Sequence, residues 1–284
     1  MTVYLNGEFV DEREARISVL DRGLLYGDGF FETIRIHNGE PFRWRSHAAR
    51  IAKAIEVLRF SMNQDLRGLD QVLREASKRN GQPNGIARLQ VTRGVGSRGY
   101  SPRGAGPPTM LVTMHSPALS PVKPWTLITA RSVRLPPPNP MSPFKHSNRL
   151  VQILARIEAD DQSANDALLL DHQGAVAETS AANIFWVRHG VVQTPPLETN
   201  ALPGVTRALV IELCGSLGLR FSETMMMPEE LVLADTVFLS LASYGIVPVE
   251  RIDDTPFRST TSVDALREAY ERQLDRECPA HSFP

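Results

Sequence analysis

Punctuation constrains this chain more than any other feature. Asn-Gly pairs at 6–7, 38–39 and 80–81 and proline clusters at 116–124 and 135–143 cut it into short segments. Asn-Gly tolerates the positive φ of a tight hairpin and proline lacks a backbone donor, so strands and helices must start and stop at these places. Between the breaks the apolar period changes. Ala87, Leu89 and Val91 alternate with Arg88, Gln90 and Thr92, which predicts a strand over 86–92 with 110–114 as its partner. Short strand pairs are expected around Asn6-Gly7, from Val3 to Val10, and around Asn38-Gly39, over 33–36 and 41–42. Ile51, Ile55 and Leu58, then Leu66, Leu69, Val72, Leu73 and Ala76, recur at helical spacing and predict helices over 46–58 and 65–79.

Three prolines between Ser116 and Pro124 mark the best linker in the chain. A small N-terminal α+β domain is therefore expected over 1–115, a linker over 116–124, and a larger C-terminal domain over 125–284. The second domain opens on a strand at 126–130 and the proline-rich loop 135–143. Helices follow at 149–160 and 203–217, with strands at 167–170, 183–187 and 236–239. The tail from Arg276 onward is expected to fray. Element types mixed in this way define a two-domain α+β / α/β chain.

Composition narrows the class. The 284 residues are 42% hydrophobic and 22% charged, as in soluble globular proteins, and no apolar run reaches the 18 residues that a membrane helix needs. Met1 to Glu8 turns polar too early for a secretory signal. Two cysteines, Cys214 and Cys278, are too few for a disulfide framework and read as buried filler or a tail thiol. A cytoplasmic protein with no membrane association follows. The net charge of −1 hides an uneven distribution: between Glu75 and Glu158 there is no acidic residue, while twelve bases fall there. Such a stretch suits an anionic ligand. The bases are scattered among prolines and strands, without a basic helix or an aromatic stacking pattern, which favours a small anion over nucleic acid.

Several motifs fail on mechanism. Gly94-Val95-Gly96-Ser97-Arg98-Gly99 matches a dinucleotide-binding pattern, but that pattern works by starting a helix, and Tyr100-Ser101-Pro102-Arg103-Gly104 follows instead. A mobile, arginine-bearing loop is expected there. Seven histidines show no metal-ligand spacing, no serine-hydrolase elbow is present, and Met225-Met226-Met227 reads as a packed strand or gap filler. The lysine census is more telling. There are only four, Lys53, Lys78, Lys123 and Lys145. Schiff-base chemistry needs an amine that can lose its proton, which arginine cannot supply. Lys145 lies beside Phe144, ahead of a helix, and inside the acid-free stretch, where desolvation and nearby cations disfavour an ammonium.

The run Asp21-Arg22-Gly23-Leu24-Leu25-Tyr26-Gly27-Asp28-Gly29-Phe30-Phe31-Glu32-Thr33 is followed by His47-Ala48-Ala49-Arg50 and Lys145-His146-Ser147-Asn148-Arg149-Leu150. Glu178-Thr179-Ser180-Ala181-Ala182-Asn183-Ile184-Phe185 and Leu202-Pro203-Gly204-Val205-Thr206-Arg207 come after them. In this order the motifs resemble the class IV aminotransferases, fold type IV enzymes of pyridoxal 5'-phosphate, over roughly residues 3 to 250. The resemblance implies a small α+β domain, a larger β-barrel-like domain with helices, and a homodimer.

Within the family, Thr92-Arg93-Gly94-Val95-Gly96-Ser97-Arg98-Gly99-Tyr100-Ser101 and the Lys145-His146 segment look most like aminodeoxychorismate lyase. That enzyme makes 4-aminobenzoate and pyruvate for folate synthesis. Phe31-Glu32-Thr33 suits a transaminase equally, and Leu241 stands where a lyase carries asparagine, so a transaminase of branched-chain or D-amino acids is the alternative. The resemblance implies that Lys145 is the Schiff-base lysine, that Glu178 faces the pyridine nitrogen, and that Leu202 packs on the ring. Arg50, Val205 and Thr206 would hold the phosphate, with Ser240 and Ala242 completing that side. Phe31, Arg93 and Arg98 would meet a small anionic amino substrate.

Overall fold

Asn6 and Gly7 take φ of 52° and 108° and close a hairpin between β1 (Thr2–Leu5) and β2 (Glu8–Asp11), as the sequence predicts. The computed structural model describes residues 1–61, 68–116 and 123–280. It divides the chain into two compact units: Met1–Ala118 with Pro143–Asn148 and Leu274–Pro284, and Leu119–Ser142 with Arg149–Gln273. Most of the expected linker, residues 117–122, lies outside the described residues.

In the first unit the hairpin is followed by α1 (Arg22–Tyr26), β3 (Gly29–His37), β4 (Glu40–Pro41), α2 (Trp44–Leu58), α3 (Leu69–Arg79), β5 (Gly85–Thr92) and β6 (Thr109–His115). The strands form one antiparallel sheet in the order β2-β1-β6-β5-β3-β4. Ile34, Ala87, Leu89 and Met114 from the sheet share a core with Ile51 and Ala54 of α2 and Leu73 of α3. β3 begins four residues earlier than its alternation suggests, because Glu32 is buried and interrupts the pattern. The predicted start of α3 at 65–67 lies outside the described residues.

The second unit contains β7 (Trp125–Thr129), α4 (Leu150–Asp161), β8 (Asp166–Leu170), β9 (Val176–Thr179), β10 (Asn183–Arg188), β11 (Val191–Thr194) and α5 (Val205–Ser216). Then come β12 (Arg220–Glu223), α6 (Pro228–Leu231), β13 (Thr236–Leu241), β14 (Gly245–Ile252) and β15 (Thr255–Pro256). Strand order runs β12-β11-β10-β13-β14-β7-β8-β9, and β9 pairs back to β10 at Glu178 and Asn183. Six strands thereby close on themselves as a barrel. Leu168 and Val176 point into one core with Ile184, Trp186 and Leu239, whereas Leu169 and Ala177 pack under Ala155 and Ala159 of α4. β8 is covered on both faces, which explains its uninterrupted apolar run.

α7 (Thr261–Glu277) ends the chain. Here the expected fraying is corrected for residues 276–278. Arg43 pairs with Glu277 at 3.2 Å, Asn38 donates to the Cys278 carbonyl at 2.9 Å, and Cys278 is buried. Both cysteines are free and buried, and desolvation pushes their thiols up to about 11 for Cys214 and about 12 for Cys278. The methionine run is not a strand: Met226 enters the barrel core, while Met225 and Met227 are exposed. Among the described residues no helix is long and apolar enough to cross a membrane. Truncating Leu168, fully buried in the barrel, should cost about 2–5 kcal/mol. Leu233→Ala, at a position 60% exposed, should stay within about 0.5 kcal/mol, both read by urea denaturation.

Candidate active site

Residues 143–148 return to the first unit and lie along β3. Phe144 is buried in that unit's core. Phe31 donates its N–H to the Lys145 carbonyl at 2.8 Å, and Ser147 donates to the Gly29 carbonyl at 2.9 Å. Gln90 on β5 donates from Nε2 to the Ser147 hydroxyl at 2.9 Å. Asn148 donates to the Gly27 carbonyl at 3.2 Å, and a Cβ at Gly27, whose φ is +65°, would collide with the Asn148 side chain. These contacts hold the Lys145 Nζ 5.2 Å from the centroid of the Phe31 ring. Arg88 Cζ lies 4.1 Å from the same centroid, and desolvation lowers the pKa of its guanidinium. Among the described residues no carboxylate pairs with Arg88.

Arg93 and Arg98, expected together as substrate contacts, have different surroundings. Arg93 is 9% exposed; it donates to Asp28 Oδ2 at 2.7 Å and to the Leu58 carbonyl at 2.8 Å, and its guanidinium lies 4.3 Å from the centre of Phe60. Arg22 donates to the same Asp28 oxygen at 2.9 Å and to the carbonyls of Gly99 and Tyr100 at 2.9 and 3.1 Å. The loop expected to be mobile is thus tied down at Gly99 and Tyr100. Burial works against the charge on Asp28, but the two arginines prevail and its pKa falls below the usual carboxylate value. Arg98 is exposed on that loop.

Arg50 projects from α2 into a buried cluster. Its Nε and Nη2 donate to the two carboxylate oxygens of Glu32, each at 2.6 Å, and His47 Nδ1 lies 2.7 Å from Glu32 Oε2. Helix periodicity alone puts Arg50 on the polar face of α2, and nothing in the sequence pattern points to this partner. Burial opposes the Glu32 charge, yet the fork from Arg50 and the bond to His47 hold its carboxyl down at about 2.

In the second unit, Glu178, Asn183 and Ser240 stand directly opposite one another on β9, β10 and β13, so they share one face of the barrel wall. They are 7%, 6% and 2% exposed. Glu178 Oε2 accepts the Leu202 N–H at 2.9 Å. Leu202 and Pro203 lead into Gly204, the N-cap of α5, so Val205 and Thr206 supply the first N–H groups of that helix. Such groups have no carbonyl within the helix and sit at the positive end of its dipole. The Ser240 hydroxyl is buried and has no partner among the described residues. Ala242 follows β13, half-buried. Sequence reasoning overlooked Arg88, which shows only as a charge in an alternating strand, and Asn183, which lies inside the motif from Glu178 to Phe185.

The first unit thus holds a lysine beside an aromatic ring and an arginine. The second holds a buried carboxylate, a helix N-terminus and a buried hydroxyl without a partner among the described residues, a set of groups that fits the ring and dianionic phosphate of pyridoxal phosphate. These are the parts of an enzyme that works through an aldehyde cofactor. The amino-transferase class IV profile matches residues 29–252, and the chain belongs to that pyridoxal-phosphate-dependent family. It is 38% identical over 255 residues to a protein of Methanocaldococcus jannaschii inferred to be a branched-chain-amino-acid aminotransferase, covering 89% of this chain and 88% of that one. Aminodeoxychorismate lyase of Bacillus subtilis is 29% identical over 283 residues, covering 96% and 94%. The branched-chain aminotransferase of Thermoproteus uzoniensis superposes with a TM-score of 0.90 at 29% identity, covering 99% and 97%.

A depressed Glu32 pKa stabilises the fold above the ordinary value of 4.5, and that contribution is lost as pH falls from about 4.5 to about 2. The unfolding midpoint of the wild type should drop across this window. Glu32→Gln should lower stability at pH 7 and flatten the acid limb, as followed by circular dichroism.

Proposed function

We propose that this chain is an aminotransferase that moves the amino group of a branched-chain or D-amino acid to a 2-oxo acid. The observation that carries the reading is Arg88, stacked on Phe31 beside Lys145, where it offers a guanidinium to a substrate carboxylate. Aminodeoxychorismate has two carboxylates, and Arg93, the first loop arginine expected to meet them, is spent on Asp28 and the Leu58 carbonyl. An amino acid with one carboxylate asks for less.

Bound pyridoxal phosphate supplies a carbonyl that amines condense with and a ring that accepts the electron pair released at the substrate's α-carbon. Lys145 would contribute the amine that holds the cofactor between turnovers, and its freed amine would take the proton from the substrate's α-carbon and deliver it to the carbon that carried the cofactor's aldehyde. Glu178 is assigned to keep the ring nitrogen protonated. Val205 and Thr206 would bind the phosphate through their N–H groups and the Thr206 hydroxyl, with Ser240 and Ala242 completing that side; the family resemblance also assigns the Arg50 guanidinium to a phosphate. Leu202 covers the ring. Phe31 shapes the substrate side.

Aminodeoxychorismate lyase is the second reading, favoured by the exposed Arg98 on a loop within the acid-free stretch. Its product, 4-aminobenzoate, would place the chain in folate synthesis. Both readings imply a cytoplasmic homodimer. Leu150, Ile153, Leu154 and Ile157 form an apolar stripe along the exposed side of α4, which supports burial against a second copy. Sedimentation velocity should give twice the mass of the chain.

Leucine, valine or D-alanine with 2-oxoglutarate should give glutamate, and Lys145→Ala should abolish it. Arg88→Ala should raise the substrate KM about tenfold to a hundredfold, the cost of a lost charge-assisted bond. Release of 4-aminobenzoate from aminodeoxychorismate, with no glutamate from any amino acid, would replace this reading by the lyase.

A further inference from the structure

Asn183 has no part in the roles above, yet it is 6% exposed and stands between Glu178 and Ser240 in the row across the barrel wall. Its Nδ2 donates to the Leu202 carbonyl at 2.8 Å, while Glu178 Oε2 accepts the Leu202 N–H at 2.9 Å. Two side chains that face each other on adjacent strands therefore grip both backbone polar groups of one residue. Leu202 cannot turn without breaking one of these bonds, and each break would leave a buried polar group unpaired.

Two residues on, the same asparagine touches the start of α5. A Cβ at Gly204 would collide with Asn183 Oδ1 and lie 3.3 Å from Arg207 Cβ, so the amide packs against the bare Cα. Gly204 caps α5 without a side-chain bond. The direction of the first helical N–H groups is then set by where Leu202, Pro203 and Gly204 lie, and Asn183 touches that segment at both ends. A second observation marks this end of the helix as a ligand site: the Ser240 hydroxyl, beside Asn183 on the same face, is 2% exposed and lacks a partner among the described residues.

We propose that Asn183 is a positioning residue for an anion cradle at the N-terminus of α5, holding Leu202 so that the N–H groups of Val205 and Thr206 point at a phosphate-bearing ligand. The clamp also couples the cradle to Glu178, because both side chains hold the same residue. That the ligand is pyridoxal phosphate rests on the reading above; that an anion binds here does not.

The test uses the full chain and compares the wild type with Asn183→Ala and, as a milder variant, Gly204→Ala, whose new methyl pushes on the Asn183 amide. Dissociation constants for pyridoxal phosphate and for pyridoxal, which lacks the phosphate, are read from absorbance. The rise in Tm on adding inorganic phosphate is measured alongside. Asn183→Ala should weaken pyridoxal phosphate about tenfold or more and pyridoxal less than about threefold, because a loosened Leu202 disturbs the ring contact of both ligands while only pyridoxal phosphate also loses the aligned N–H groups. The phosphate-induced rise in Tm should shrink in parallel. Equal weakening of both ligands, unchanged binding, or a wild type that inorganic phosphate does not stabilise would overturn the proposal. If Asn183→Ala fails to fold, the same selective loss is required of Gly204→Ala, and its absence there is equally decisive. A wild type that binds neither pyridoxal compound, yet gains an Asn183-dependent stabilisation from inorganic phosphate, would sink the cofactor reading and leave the cradle standing.

Discussion

Two backbone hydrogen bonds, from Phe31 to the Lys145 carbonyl and from Ser147 to the Gly29 carbonyl, carry the rest of the first unit's chemistry. They bring a segment more than a hundred residues away to the edge of β3 and leave the lysine beside Phe31. Backbone pairing fixes orientation as well as proximity, since a slip of one residue would turn the side chains to the other face. Phe144 in the core and Asn148 against Gly27 hold the two ends of the segment, so its register cannot drift.

Paired charge organises the first half of the same strand. Asp28, just ahead of β3, collects Arg22 and Arg93, and Glu32 within it collects Arg50 and His47. Isolated charges would be costly at such depth, and removing one partner would strand the other. The arrangement therefore ties neighbouring elements together: the Asp28 knot fastens the loop after β5 to the end of α2, and the Glu32 cluster fixes the guanidinium of Arg50. Arg93 looked like a substrate contact by residue type and motif, but its donors turn inward.

The second unit achieves precision through register. Glu178, Asn183 and Ser240 come from three strands, and each stands opposite the next because the barrel closes between β9 and β10. From that row, Glu178 and Asn183 reach Leu202, and through it the start of α5.

Much of this was legible from residues alone. The hairpin at Asn6-Gly7, the alternation from Ala87 to Thr92, and the scarcity of lysine with Lys145 in an acid-free stretch follow from turn chemistry, strand period and the need for a titratable amine. The ordered motifs carried the family. Short strands such as β9 and β11, and the closure of the barrel, stayed hidden because four residues are too few to show a period. Partners were hidden as well. No local pattern pairs Arg50 with Glu32, sets Arg88 over Phe31, or spends Arg93 on Asp28, because each contact depends on which strands lie side by side. The sequence by itself determined the element types, the turns and the set of reactive groups, since these depend on neighbours along the chain. Only the tertiary structure decided which charges are buried in pairs and which stand without an opposite charge among the described residues, since burial and pairing are properties of distance in space.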